Sequence, residues 1–265
     1  MHEKKRLAPV ILVLLIMGVA ICYFYVANFT AQEKHPITIA VSKTPLSAPF
    51  YVANAINAFE NTCASVEVDE VVGGQAAFEK VMSGKVDFGI SSDSVIAFQS
   101  LNTQDFVTHA MFVQSDNDVK LITRKADNIE FMSDLKGKRI GVTKGTSSEY
   151  ILSTLLAIEG LSMHDVKLHH YKPEKLLTGF SQQEVDAILP WEPFGFQALQ
   201  LLSEEIKIHD TKSLSTLSFN LISQTADKKI LEKAKCVIEG LRIAIDYIVS
   251  NPEAAKKIVI AELNV

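Results

Sequence analysis

Hydroxyl-bearing residues recur at three places where a short apolar run gives way to a helix-like segment. The richest is Thr143-Lys144-Gly145-Thr146-Ser147-Ser148; the others are Ser47-Ala48-Pro49-Phe50-Tyr51 and Ser91-Ser92-Asp93. The first N–H groups of a helix have no partner within it, so they point outward and attract anions or ligand oxygens. Ser and Thr hydroxyls add groups that both donate and accept. The same residues also suit a purely local task. Thr146-x-x-Glu149 has the capping-box spacing, and Ser47, Ser92 or Asp93 can serve as N-caps. Ligand contact and helix capping both stand for these segments. A fourth segment, Pro190-Trp191-Glu192-Pro193, holds the single tryptophan of the chain. Its indole offers a flat apolar face and one N–H donor, either to a ligand or to the packing of a hinge.

Catalytic and metal chemistry find no footing. No GxSxG, HExxH, GxGxxG or GxxxxGK[ST] pattern occurs. The expectation is therefore a protein without catalytic residues, cofactor or metal. His164, His169 and His170 cluster, but on a strand over 166–170 the last two point to opposite faces and read as surface residues. Cys22, Cys63 and Cys236 lack metal-ligand spacing. In an oxidising compartment Cys63 and Cys236 either pair or stay buried separately. The net charge of −5 is spread along the chain with no basic stripe, which argues against a nucleic-acid partner.

The elements that must position these loops alternate. Strand-like runs at 37–41, 66–72, 86–90, 107–113 and 119–123 are interleaved with amphipathic segments at 49–60, 75–82 and 93–101. A second series has strands at 138–142, 166–170, 185–189 and 206–209, with helices at 146–159, 174–180 and 193–202. A return strand at 219–223 precedes a helical stretch from 228 to 263, broken near Pro252. This rhythm predicts an α/β protein with mostly parallel sheets covered by helices. An internal echo, FEKVMSGKVDFG at 78–89 and LLTGFSQQEVDA at 176–187, suggests two similar lobes. The expected division is lobe 1 over 37–122 and 217–265, with lobe 2 over 123–216 inserted into it. A ligand then sits between lobes, at the carboxyl ends of strands.

Four stretches, PFYVA (49–53), SGKVDFG (83–89), DLKGKRIGVTKGTSSEY (134–150) and VDAILPWEP (185–193), resemble in content and order the nitrate, sulfonate, taurine and thiamine-pyrimidine branch of ABC-transporter solute-binding proteins. The resemblance spans about residues 37–262. It implies a two-lobed, type II-like periplasmic-binding-protein fold, capture of a small molecule in the interlobe cleft and delivery to an ABC permease. By similarity, pocket lining falls on Ser47, Pro49, Gln75, Ser91, Ser92, Gly145, Thr146, Ser147, Ser148, Trp191 and Glu192. A tethered sensory ectodomain of the same fold is the alternative. The charges near this pocket are mixed. Lys43 and Lys144 suit an oxyanion; Asp93, Glu149 and Glu192, if two of them face the ligand, suit a neutral or amino-bearing heterocycle.

The N-terminus predicts export. Lys4, Lys5 and Arg6 precede 21 uncharged residues from Leu7 to Ala27, a length that spans a bilayer core. Anchoring in the membrane through residues 7–27, cleavage of a signal segment, and lipid attachment at Cys22 all place the body outside the cytoplasm. A short polar tether, residues 28–36, follows.

Overall fold

The computed structural model describes residues 36–60, 62, 65–212 and 214–264. The export segment 7–27 and Cys63 lie outside the described residues, so the anchor and the disulfide stay as sequence expectations. Among the described residues no helix is long and apolar enough to cross a membrane.

From Pro36 onward the chain builds two five-stranded sheets. The first contains β1 (Ile37–Ser42), β2 (Val66–Val71), β3 (Phe88–Ser92), β4 (Val107–Ser115) and β10 (Leu217–Ser223), in the order β2-β1-β3-β10-β4. The second contains β5 (Leu121–Arg124), β6 (Arg139–Val142), β7 (Lys167–His170), β8 (Ala187–Ile188) and β9 (Ile206–His209), in the order β7-β6-β8-β5-β9. In each sheet four strands run in one direction, and the fifth, β10 in the first sheet and β5 in the second, is antiparallel to both its neighbours. The sheets are thus mostly parallel, as the βα rhythm predicts, with one antiparallel strand in each that the rhythm does not foresee. The reason is that β5 and β10 enter from the connections between sheets, so each runs against the strands built locally. Leu121 and Ile122 pair in the second sheet, two residues ahead of the boundary expected from sequence.

Period-2 alternation explains how each sheet is covered on both faces. Ile37, Ile39 and Val41 pack with α1 (Ala48–Ala55), α7 (Lys228–Ser250) and α8 (Pro252–Leu263), whereas Ala40 belongs to the cluster formed with α2 (Gly74–Met82) and α3 (Asp93–Ser100). In the second sheet Leu121, Ile140 and Val142 pack with α4 (Ser147–Ile158). Ile122 and Ile188 pack with α5 (Pro173–Ser181) and α6 (Phe194–Leu202). The first helix ends at Ala55 rather than near residue 60, because Asn57 takes a left-handed turn at φ 54°.

The internal echo has a structural counterpart. Gly84 and Gln183 both have positive φ, and each stands three residues before an aspartate. Asp87 Oδ2 accepts the Thr38 N–H at 3.0 Å while its own N–H donates to Thr38 O. Asp186 Oδ2 accepts the Arg139 N–H at 2.8 Å while its own N–H donates to Arg139 O. The two Val-Asp pairs therefore perform the same task, fastening β3 to β1 and β8 to β6.

Candidate functional site

The carboxyl ends of β1, β3, β6 and β8 face a common region. One wall of a cleft of about 750 Å³ comes from the β2–α2 segment, including Glu70, Gly73, Gln75 and Lys80. The other comes from Thr143, Lys144, Thr146, His170, Tyr171 and Trp191 of the second sheet. A recess of about 20 Å³ shares Gly73, Thr146 and Trp191 with that cleft. Ser42, Gly74, Ser92, Val95, Asp118, Ser147 and Phe219 complete its lining.

Trp191 is positioned by backbone. It forms a bridge with Val119, and the flanking Glu192 N–H donates to Asp118 O at 3.2 Å. Phe194 meets its indole edge-on, with centroids 6.1 Å apart. Asp118, in the connection from β4 to β5, is 7% exposed. Burial pushes its carboxyl from 3.8 up to about 7, and the Glu192 charge adds to the rise; Lys120 and a backbone N–H oppose it. The second connection, from β9 to β10, is tied to the first by the Thr211 hydroxyl, which donates to Val119 O at 2.7 Å.

Two hydroxyls stand out. Ser42 Oγ and Thr143 Oγ1 are buried and have no hydrogen-bond partner among the described residues. Ser42 ends β1 and lines the recess; Thr143 follows β6 and lines the cleft.

Of the residues expected from sequence, Gln75, Ser92, Thr146, Ser147 and Trp191 line the cleft or the recess. The other six are not among the lining residues. Ser47 donates its hydroxyl to Ser42 O at 2.5 Å, and Pro49 is buried in the first turn of α1. Ser91 Oγ donates to Gly74 O at 3.1 Å. Gly145 makes the turn at φ 69°, its N–H donating to Glu149 Oε2 at 2.6 Å. Ser148 Oγ accepts the Thr143 N–H at 3.2 Å. Glu192 Oε2 accepts the Phe196 N–H at 2.9 Å at the start of α6. The capping box is not formed as expected: Thr146 Oγ1 accepts from Ser148 N rather than Glu149 N, and Glu149 accepts from Gly145 N rather than Thr146 N.

Asp118, Ser42 and Gly73 were missed by sequence reasoning. Asp118 sits in Ser115-Asp116-Asn117-Asp118, which reads as a solvated loop; only the connection between sheets brings it inward. Ser42 was hidden because apolar alternation ends at Val41. Among the described residues no group of three or more His, Cys, Asp or Glu side chains could hold a metal ion. Cys236 is half-buried near Thr62.

Two mixed sheets joined by paired connections, with a cleft at their strand ends, define a periplasmic-binding-protein fold. Solved structures agree. The alkanesulfonate-binding protein SsuA from Xanthomonas axonopodis pv. citri, bound to MOPS, has a TM-score of 0.72 at 22% identity, covering 88% of this chain and 83% of its own. The periplasmic aliphatic sulphonate binding protein SsuA from Escherichia coli has a TM-score of 0.70 at 19% identity, covering 88% and 80%. Residues 44–255 match the NMT1/THI5 like family model, and the chain belongs to that family. A curated relative from Haemophilus influenzae named for thiamine biosynthesis is 24% identical over 231 residues, 85% of this chain and 72% of its own length. One from Escherichia coli K12, named for aliphatic sulfonate binding, is 26% identical over 172 residues, 65% of this chain. The chain spans about half the length of that relative, 53%, and 21% of the Brucella abortus binding protein with which it shares 34% identity over 67 residues.

Proposed function

We propose that this chain is the extracytoplasmic solute-binding component of an ABC-type importer. It holds one small polar solute between its two sheets and delivers it to a permease in the membrane. The observation that carries this reading is the pair of buried hydroxyls without partners, Ser42 Oγ and Thr143 Oγ1. They come from different sheets and lie in the walls of one cleft and its recess. A buried polar group left unpaired costs about 1–3 kcal/mol, so a bound polar molecule is the natural supplier of the missing bonds. Gln75, Ser92, Thr146, Ser147 and Trp191 form the contact surface, with Ser42, Asp118 and Thr143 added. Ser47, Pro49, Ser91, Gly145, Ser148 and Glu192 hold the loops that present it. Lobes near 37–120 and 217–265, and near 121–216, close around the connections at 116–120 and 210–216. Residues 7–27 direct export and hold the body at the outer face of the membrane.

The sulfonate-binding names among the relatives and fold neighbours support a small polar solute. A thermal-shift screen of small solutes, including alkanesulfonates and amino-substituted heterocycles, tests the reading. A saturable rise in unfolding temperature is expected for one chemical class. Equal responses in the protein and in a cleft-filling Thr146→Trp variant would place binding elsewhere.

A further inference from the structure

Among the described residues that line the recess, Asp118 is the one carboxylate, and its position bears on the charge of the solute. The three acids that the sequence places near the pocket are occupied elsewhere. Asp93 accepts from Ser94 N, Ser218 N and Ser218 Oγ; Glu149 accepts from Gly145 N; Glu192 accepts from Phe196 N. Asp118 also accepts a backbone N–H, from Glu192, but it differs from the three in where it stands. It is 7% exposed, it lines the recess, and among the described residues no cationic side chain forms an ion pair with it. Lys120, two residues on, turns its ammonium to the Asn117 backbone oxygen at 2.5 Å. The recess, about 20 Å³, has room for one small polar group and no more. Beside Asp118 stand the unpartnered Ser42 hydroxyl, which can accept a hydrogen bond, and the flat indole of Trp191.

We infer that the recess binds a positively charged nitrogen group, an ammonium or amidinium, on a solute whose flat or apolar part lies against Trp191, with Asp118 as its counter-ion. The inference rests on the solute-binding reading of the cleft and narrows it. A carboxylate facing a cation makes a charge-assisted bond in a water-poor site, whereas a sulfonate there would meet like charge unless Asp118 is protonated. Burial raises that carboxyl to about 7, so the two cases titrate in opposite directions. The other charged groups around it are Glu192 and Lys120, and His170 stands on the cleft wall.

Trp191 is the only tryptophan, so its emission reports on the recess directly. Three probes that share a phenyl ring are titrated at pH 5.5 and pH 8: benzamidine, its neutral isostere benzamide, and the anionic benzenesulfonate. At pH 8 benzamidine is expected to bind roughly tenfold or more tighter than benzamide. That advantage is expected to shrink at pH 5.5 and to vanish in Asp118→Asn, which keeps the size of the side chain and removes its charge. Tighter binding of benzenesulfonate, strengthening toward low pH, would overturn the cationic assignment and leave the solute-binding reading intact. A benzamidine preference that survives in Asp118→Asn would likewise overturn it. Silence from all three probes at millimolar concentration counts against both.

Discussion

The indole edge of Trp191 rests against Gly73 across the cleft: a β-carbon on Gly73 would lie 3.2 Å from Trp191 Cζ2. Gly73 follows β2 and Trp191 follows β8, so the contact joins the two sheets where the cleft meets its recess. The glycine also has φ 85° and ψ 153°, a backbone region nearly closed to other residues.

Gly73→Ala is therefore expected to do two things. Backbone strain lowers unfolding free energy by about 1–3 kcal/mol. The added methyl also presses on Trp191 and blue- or red-shifts its emission. Denaturant unfolding followed by tryptophan fluorescence reads both; an unchanged midpoint and spectrum would contradict the contact.

Ser148 and Thr146 separate support from contact. Ser148→Ala removes the acceptor for the Thr143 N–H and is expected to cost about 1 kcal/mol of stability, with solute affinity changed less than threefold. Thr146→Ala removes the N-cap of α4 and a lining side chain together, so stability falls by about 1 kcal/mol and affinity falls as well. Chemical denaturation beside calorimetric titration distinguishes them.

Asp118 predicts a pH dependence of folding. Its carboxyl rises from 3.8 to about 7 on burial, so the folded protein holds a proton that the unfolded chain releases. Stability owed to this group falls as pH climbs from about 4 to about 7, and the whole deficit is present above 7. Asp118→Asn is expected to raise the stability of the ligand-free protein at pH 8 by on the order of 1–4 kcal/mol relative to its effect at pH 4. Urea midpoints across that range are the check; a parallel pH profile in both proteins would contradict it.

The repeated aspartates give a matched pair of substitutions. At Asp186, burial alone would raise the carboxyl, but hydrogen bonds and charge from Arg139 hold it below its ordinary value. Asp87 pairs with Lys233 at 2.6 Å. Asp87→Ala and Asp186→Ala each leave a strand N–H and a cation without their acceptor and are expected to cost about 2–4 kcal/mol. The Asn variants keep an acceptor for the N–H and should cost less. Equal losses for Ala and Asn would show that the backbone bond contributes little.

Much of this fold was legible because its signals are local. Alternation at Ile37, Ile39 and Val41, and the Val-Asp echo at 86–87 and 185–186, depend on a few adjacent residues. The one antiparallel strand in each sheet was not legible, since β5 and β10 are set by the connections between the sheets rather than by their own composition. The same division holds at the site. Thr146, Ser147 and Trp191, which line the cleft or its recess, were legible because a helix start or a lone indole marks itself in sequence. Asp118 and Ser42 acquire their roles only when the sheets are brought together. Ser47, Ser91 and Ser148 showed the right chemistry, but a hydroxyl at a helix start satisfies a nearby backbone group as readily as it meets a ligand.

Native mass spectrometry of the protein isolated from its own cells tests the central claim most directly. One small molecule per chain is predicted, absent from Thr146→Trp, in which the indole fills the shared wall of cleft and recess. A bound mass retained by that variant, or no bound mass in the unaltered protein even after incubation with a small-molecule extract of the same cells, would contradict solute capture in the cleft.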